Sequence, residues 1–417
     1  MLAEISFVPS SDVIVILNTL LDKFERRSES SQPRSIKALL SEVALPAYFS
    51  QVDPEPRRVA NEQLQALEGQ GLLALRWLSG ERGYLLESVS LLPDRQIPLY
   101  QALKRMPAAD RRARLENQLL GERFRFAGDD WRNRALRYIL AQIKAGKSPA
   151  PFSLSDTAYN EDLLTALSAL SNLTEETSYR VFSVHTFNDS KRFISLKSAI
   201  LHLAKLGQPE WKQMLLDEVL RELNLVANPG YLLLSGSWEL VDEMGQVLSL
   251  NQFIPSVGIP SIQAAHLQRV TTRAQAVICI ENLTTFHEMS RISLDKNRPA
   301  LICLMGNPSP ACRHLLFCLE KSLPETHPLY VWADLDYGGL NILDQLRRQV
   351  GPRCIPYRMD VETLDAFAAF ARPLTQNDRH NFERLLARPY LNDMRPVIAH
   401  LLKRGIKLEQ EAVSTTF

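Results

Sequence analysis

The chain has 417 residues, of which 45% are hydrophobic and 23% charged, and its formal net charge is +1. That length fits two or three domains of ordinary globular composition. Near-zero net charge excludes a bulk polyelectrolyte grip on nucleic acid, so any basic surface must be local.

No apolar run approaches the ~20 residues needed to span a bilayer. The opening stretch MLAEISFVPSSDVIV carries Glu4 early and has no basic region, so a signal peptide is not expected. The five cysteines, Cys279, Cys303, Cys312, Cys318 and Cys354, fit neither a disulfide framework nor a zinc spacing. They read as small buried hydrophobes of a cytoplasmic protein.

Residues 11–28 predict an amphipathic helix, with Val13, Leu17, Leu20, Leu21 and Phe24 on one stripe. Residues 34–42 and 57–70 predict two more helices. A hairpin follows, with a strand through Trp77, a turn at Ser79-Gly80 and a second strand from about Tyr84. Three helices and a hairpin form a winged-helix pattern, a module that contacts DNA or docks a partner protein.

Residues 101–147 carry Lys104, Arg105, Arg111, Arg112, Arg114, Arg123, Arg125, Arg132, Arg134, Arg137, Lys144 and Lys147. Only Asp110, Glu116, Glu122, Asp129 and Asp130 oppose them, so this is the chain's strongest local charge bias. It is either a solvated helix face or a phosphate-contacting surface. The Gly/Pro/Ser-rich run AGKSPAPFSLSD marks a boundary near residue 150.

Helices are expected around 161–171, 194–206 and 210–224, then a turn at Asn228-Pro229-Gly230 and a strand-turn-strand in YLLLSGSWELVDEMGQVLSL. This suggests a second winged helix. Within it lies VFSVHTFNDSKRF, residues 181–193, dense in hydrogen-bonding groups.

From about residue 275 short apolar runs alternate with helices: 276–281, 300–306, 329–336 and 354–360, with helices at 283–292, 309–321 and 339–349. Near-continuous apolar strands separated by helices indicate a buried parallel sheet. Ligands of such sheets bind beyond the carboxyl ends of the strands. There the first run ends in Glu281, the third in Asp334 and Asp336, and the fourth in Asp360.

Asp334 and Asp336 are two residues apart on one strand, so they point to the same side. At about 5 Å two carboxylates repel by about 3 kcal/mol at an effective dielectric near 20. A divalent metal is the common compensation, and hard oxygen donors suit Mg²⁺. Glu281, Asp334 and Asp336 are therefore the candidate metal ligands and acid/base groups for metal-assisted phosphoryl transfer. The competing role is helix capping. Glu288, two helical turns after Glu281, is expected to face solvent. Asp360 reads as a nearby supporting group or a cap, and Glu409 and Glu411 as an exposed face. His185, His287, His314 and His327 share no metal spacing, and no GxxxxGK[ST] loop, GxSxG elbow or CxxC occurs. Tyr159 and Tyr179 are the tyrosines open to a nucleophilic role, with a core or interface role as the alternative.

A glutamate ending the first strand and a DxD ending the third resemble the Toprim fold of topoisomerases, primases and some nucleases. ENLTTF at 281–286, WADLDYGGLNIL at 332–343, YRMD at 357–360 and LEQE at 408–411 together look like the JetD nuclease subunits of Wadjet systems. TFNDSKRF at 186–193 matches a polar, lysine-containing segment that precedes the Toprim part in related chains. The resemblance covers about residues 175–417 and extends to the catalytic subunit of topoisomerase VI and related recombination-type enzymes.

The resemblance implies a homodimeric endonuclease that cuts circular plasmid DNA beside an SMC–kleisin-type ATPase complex, with Mg²⁺ or Mn²⁺ held by Glu281, Asp334 and Asp336. Glu281 is also the expected general acid/base. Lys191 and Arg192, with Arg123, Arg125, Arg132 and Arg134, are the candidate DNA contacts. The alternatives are a topoisomerase VI-like enzyme with a tyrosine nucleophile and a non-catalytic winged-helix DNA-binding protein. The fold expected is α+β and multidomain. It comprises a winged-helix-like arm (1–95), a basic helical connector (96–150), a second winged helix (151–265) and an α/β Toprim domain with a parallel four-stranded sheet (266–417).

Overall fold

The computed structural model describes residues 7–26, 36–292 and 298–413. The chain is α+β and falls into two compact units, Met1–Arg125 with Ile139–Thr157, and Phe126–Tyr138 with Ala158–Phe417.

In the first unit come α1 (Ser11–Glu25), β1 (Ile36–Leu39), α2 (Glu55–Gly69), β2 (Leu73–Trp77), β3 (Leu86–Leu91), α3 (Gln96–Ala102) and α4 (Ala108–Arg123). The α1 stripe of Val13, Leu17, Leu20 and Leu21 is buried in one core with Leu64 and Leu67 of α2 and Val89 of β3. The expected hairpin forms as β2 and β3. The stretch 34–42, expected to be helical, instead contributes β1, which pairs antiparallel with β3 from Ile36↔Leu91 to Leu39↔Ser88. Short apolar runs satisfy both periodicities, and here an open strand edge decides. The three-stranded order is β1-β3-β2. Part of the basic stretch turns inward: Arg105 reaches Asp22 and Glu25 at 2.7 Å, and Arg111 reaches Glu25 at 2.9 Å.

Helix α5 (Trp131–Lys144) starts in the second unit and ends in the first. The second unit continues with α6 (Thr157–Ala169), β4 (Thr177–Ser178), α7 (Tyr179–Phe187), α8 (Arg192–Gly207), α9 (Leu216–Glu222) and β5 (Leu225–Val226). Then come β6 (Tyr231–Ser235), β7 (Trp238–Asp242), β8 (Val247–Ser249), β9 (Val257–Pro260), α10 (Ser261–Ala265) and β10 (Leu267–Thr272). The alternating part is β11 (Val277–Ile280), α11 (Leu283–Ile292), β12 (Ala300–Cys303), α12 (Pro310–Ser322), β13 (Leu329–Trp332), α13 (Tyr337–Gln349) and β14 (Cys354–Pro356). It is followed by α14 (Val361–Ala366), β15 (Arg372–Pro373), α15 (Gln376–Leu385), α16 (Arg395–Arg404) and β16 (Ile406–Lys407).

The four strands β11 to β14 run parallel, as the apolar runs require. They are not alone: β6 and β9 extend the sheet antiparallel, giving the six-stranded order β14-β13-β11-β12-β6-β9. The strand-turn-strand expected in 231–250 forms as the antiparallel pair β7 and β8, turning at Gly245, but β6 is not part of it. β6 joins the large sheet, whereas β7 pairs with β10 and β8 in a separate three-stranded sheet. Gly236, at φ +106°, takes the corner between them; a Cβ there would lie 3.1 Å from Ala300 Cα. All five cysteines are buried and unpaired, and all five belong to the core that holds Leu301, Ile302, Val331 and Trp332: Cys279, Cys303 and Cys354 on the sheet strands, Cys312 and Cys318 on α12. Among the described residues no helix is long and apolar enough to cross a membrane.

Candidate active site

Central strands β11 and β13 lie side by side, with Ile280 opposite Trp332. The next residues of each chain therefore leave the sheet together. The Glu281 backbone N–H donates to Trp332 O at 2.9 Å, and the Asp334 N–H donates to Glu281 Oε2 at 3.0 Å. Past the strand, Ala333 and Leu335 are buried while Asp334 and Asp336 are half-buried. The two aspartates thus share a side, as their spacing requires.

Each acid is anchored through one oxygen. Asp334 Oδ1 accepts from the Gln410 N–H at 2.6 Å. Asp336 Oδ1 accepts from the Gly339 N–H at 2.9 Å and caps α13. Among the described residues the second oxygens of Glu281, Asp334 and Asp336 carry no hydrogen bond. Burial, reinforced by the Asp334 carboxylate, pushes Glu281 up to about 8. Burial pushes Asp334 up to about 7, with Asp336, Glu411 and Glu409 adding repulsion against the Gln410 hydrogen bond. The site carries more negative charge than its own groups balance.

Among the described residues no group of three or more His, Cys, Asp and Glu side chains is placed to hold a metal ion as it stands. The donor chemistry nevertheless fits a hard divalent cation. Three carboxylates from neighbouring strand ends are oriented by backbone N–H groups, and each keeps an oxygen open.

The sequence blocks around the acids have local causes. Gly339 is required by close approach, because a Cβ there would lie 2.2 Å from Asp334 O. Asn282 Oδ1 accepts from the Thr284 N–H at 2.7 Å in the first turn of α11. Tyr357 of YRMD packs its ring 5.6 Å from Trp332 and 5.4 Å from Tyr330, and its N–H donates to Val331 O. LEQE crosses the strand ends, with Leu408 and Leu335 bonded to each other's backbone. Glu409 is 2.7 Å from Arg372, and Asn282 Nδ2 donates to Glu411 Oε1.

Other expected positions part ways with the acids. Glu288 is exposed on α11. Asp360 is a helix cap, accepting from the Thr363 N–H at 2.7 Å. Arg132 is held by Asp130 at 2.9 Å and donates to Leu167 O, and Arg134 donates to Gly207 O at 2.6 Å. Both fasten segments of the second unit. Arg192 pairs with Asp162 at 2.6 Å. Arg123 lies over the Phe124 ring, and Arg125 is exposed beside Glu122 at 3.0 Å. The Lys191 side chain is exposed. Much of TFNDSKRF is a turn: Asn188 ends α7 at φ +54°, and the buried Ser183 hydroxyl bonds Asp189 O and accepts from the Phe193 N–H. Burial pushes the Tyr179 phenol up to about 12, away from activation. Its ring packs 5.5 Å from Phe193.

Two residues near the acids were not expected from the sequence. Glu218 of α9 accepts from the Asn307 N–H at 3.1 Å and adds repulsion to Glu281. Gln410 bonds both strand ends. Neither has a local signal, since their partners are remote in the chain.

Comparison with known proteins places these features. Residues 244–417 match the family model described as Wadjet protein JetD, C-terminal. A curated relative, the Wadjet protein JetD of Bacillus cereus (strain Q1), is 24% identical over 409 residues, covering 95% of this chain and 97% of its own length. The matched region contains β11 to β14, all three acids and the LEQE segment whose Gln410 N–H bonds Asp334, and the chain is JetD-like.

Proposed function

We propose that this protein is a divalent-metal-dependent DNA endonuclease, the cutting subunit of a Wadjet-type system. It would act as a homodimer beside an SMC–kleisin-type ATPase complex on circular plasmid DNA. The observation that carries the reading is the set of three pre-oriented carboxylates at adjacent parallel strand ends, each with an open oxygen. Kinship with a Wadjet protein supplies the setting.

Asp334 and Asp336 would hold Mg²⁺ or Mn²⁺, with Glu281 completing the ligand set. The bound ion would neutralise the phosphodiester and stabilise the leaving oxygen. Glu281, whose burial favours its protonated form, is placed to give or take a proton at its open oxygen. Water is the nucleophile in this reading, which leaves Tyr179 the packing role of its ring against Phe193. The exposed Lys191 and Arg125 are the first side chains to test for phosphate contact, whereas Arg132 and Arg134 are engaged within the fold.

The test is cleavage of closed circular plasmid by the full chain with its operon partners in Mg²⁺, followed by denaturation and extraction. Free DNA ends, lost on chelation and in Glu281→Ala and Asp334→Ala, are expected. Undiminished cutting by both variants would remove the site assignment, and protein fixed to the DNA ends would establish a tyrosine nucleophile instead.

A further inference from the structure

Gln410 is 1% exposed. A buried primary amide must satisfy its donors and acceptor or forfeit about 1–3 kcal/mol for each group left unpaired. Its partners are backbone atoms of the two acid-bearing strand ends. Its Oε1 accepts from the Asn282 N–H at 2.9 Å, next to Glu281. Its Nε2 donates to Trp332 O at 2.8 Å, two residues before Asp334. Its own backbone N–H binds Asp334 Oδ1 at 2.6 Å.

One side chain therefore spans β11 and β13 beyond their last paired residues, and the same residue's backbone orients one carboxylate. The paired ladder ends at Ile280↔Trp332, beyond which the strand ends are joined by the Glu281 N–H to Trp332 O bond and the Asp334 N–H to Glu281 Oε2 bond; Gln410 adds a further tie on both. The segment around Gln410 is fixed in turn by the Leu335–Leu408 backbone pair and by the Asn282–Glu411 hydrogen bond.

We infer that Gln410 is a positioning residue that sets the separation and orientation of Glu281 and Asp334, so the C-terminal segment is an integral part of the cation site. This rests on the metal-site reading proposed above. Removing a group that orients metal ligands typically weakens metal affinity by about 10–100-fold. Methionine nearly matches glutamine in volume and flexibility but makes neither amide hydrogen bond.

The experiment is calorimetric titration of Mn²⁺ into the metal-free full chain, comparing wild type, Glu281→Gln and Gln410→Met. Wild type should bind, Glu281→Gln should lose binding, and Gln410→Met should bind about 10–100-fold more weakly while still unfolding cooperatively. If wild type and Gln410→Met bind alike, the positioning role is overturned while the metal site stands. If wild type takes up no Mn²⁺, the metal reading and the inference fall together. A second measurement needs no variant. In wild type, Mn²⁺ should slow amide exchange in segments 281–283 and 408–411 together. Slowing at 281–283 alone would overturn the coupling even if Gln410→Met failed to fold.

Discussion

At the scale of single residues, Asp336 and Asp360 provide an internal comparison. Both cap a helix through Oδ1, but only Asp336 belongs to the group of acids at the strand ends. Alanine at either position should cost about 0.5–2 kcal/mol through the lost cap. Asp336→Ala should also abolish cleavage, whereas Asp360→Ala should leave it near wild type once the protein is folded. Thermal unfolding alongside a plasmid assay separates the two roles. Glu281 and Asp334 make a prediction about pH. Their folded-state values, about 8 and about 7, lie above those of free carboxylates. Stability from the neutral acids is therefore fully present below the ordinary carboxylate range, and it is lost as pH rises through about 7 to about 8. Metal-free wild type should thus melt at progressively lower temperature across that window. Glu281→Gln, which cannot ionise, should show a shallower fall, and Mn²⁺ should restore the wild type most at the alkaline end. A flat profile in chelator would mean that the acids are not held in the buried, mutually repelling arrangement.

At the scale of elements, the approach of α13 to β13 is the tightest requirement. Gly339→Ala would drive a Cβ to 2.2 Å from Asp334 O and 2.7 Å from its N, whereas a Cβ at Gly338 meets only an Asp336 side-chain oxygen at 3.2 Å. Overpacking of that kind costs about 1–3 kcal/mol or more. Gly339→Ala should lower the unfolding temperature and disrupt cation binding; Gly338→Ala should change both far less. Equal effects would contradict the packing described for α13. The parallel strands and their acids were legible because they announce themselves locally: Val277–Ile280 and Leu329–Trp332 are continuous apolar runs, and the acids follow at once. Ile36–Leu39 was misread as helix because its partner, β3, lies some fifty residues on. The hairpin expected in 231–250 is supplied by Trp238–Asp242 and Val247–Ser249, whereas Tyr231–Ser235 leaves it and Leu234 pairs with the remote Ile302. Gln410 was invisible for the same physical reason, being 128 residues from Asn282 and 78 from Trp332. Periodicity records which face of an element is buried, but it does not record the remote element that covers that face.

At the scale of the whole molecule, a net charge of +1 means that the DNA binding proposed for this protein would rest on a few placed cations. The basic stretch of 101–147 is partly consumed inside the fold, since Arg105, Arg111, Arg132 and Arg134 all serve carboxylates or carbonyls of their own unit. Arg132→Ala and Arg134→Ala should therefore destabilise the protein. Lys191→Ala with Arg125→Ala should leave unfolding unchanged while weakening DNA binding and reducing its salt slope by about one per lost phosphate contact. An unchanged slope would exclude both side chains from the DNA surface. In the proposed function Glu281, Asp334 and Asp336 form the site at which this protein cuts DNA. The most direct measurement is linearisation of circular plasmid in Mg²⁺ by the complete assembly containing either the wild-type chain or Asp334→Asn. The substitution is nearly isosteric and keeps the oxygen that accepts from Gln410. Linear product is expected from the wild type and none from an equally well assembled variant; cutting by Asp334→Asn at the wild-type rate would contradict the assignment of the site.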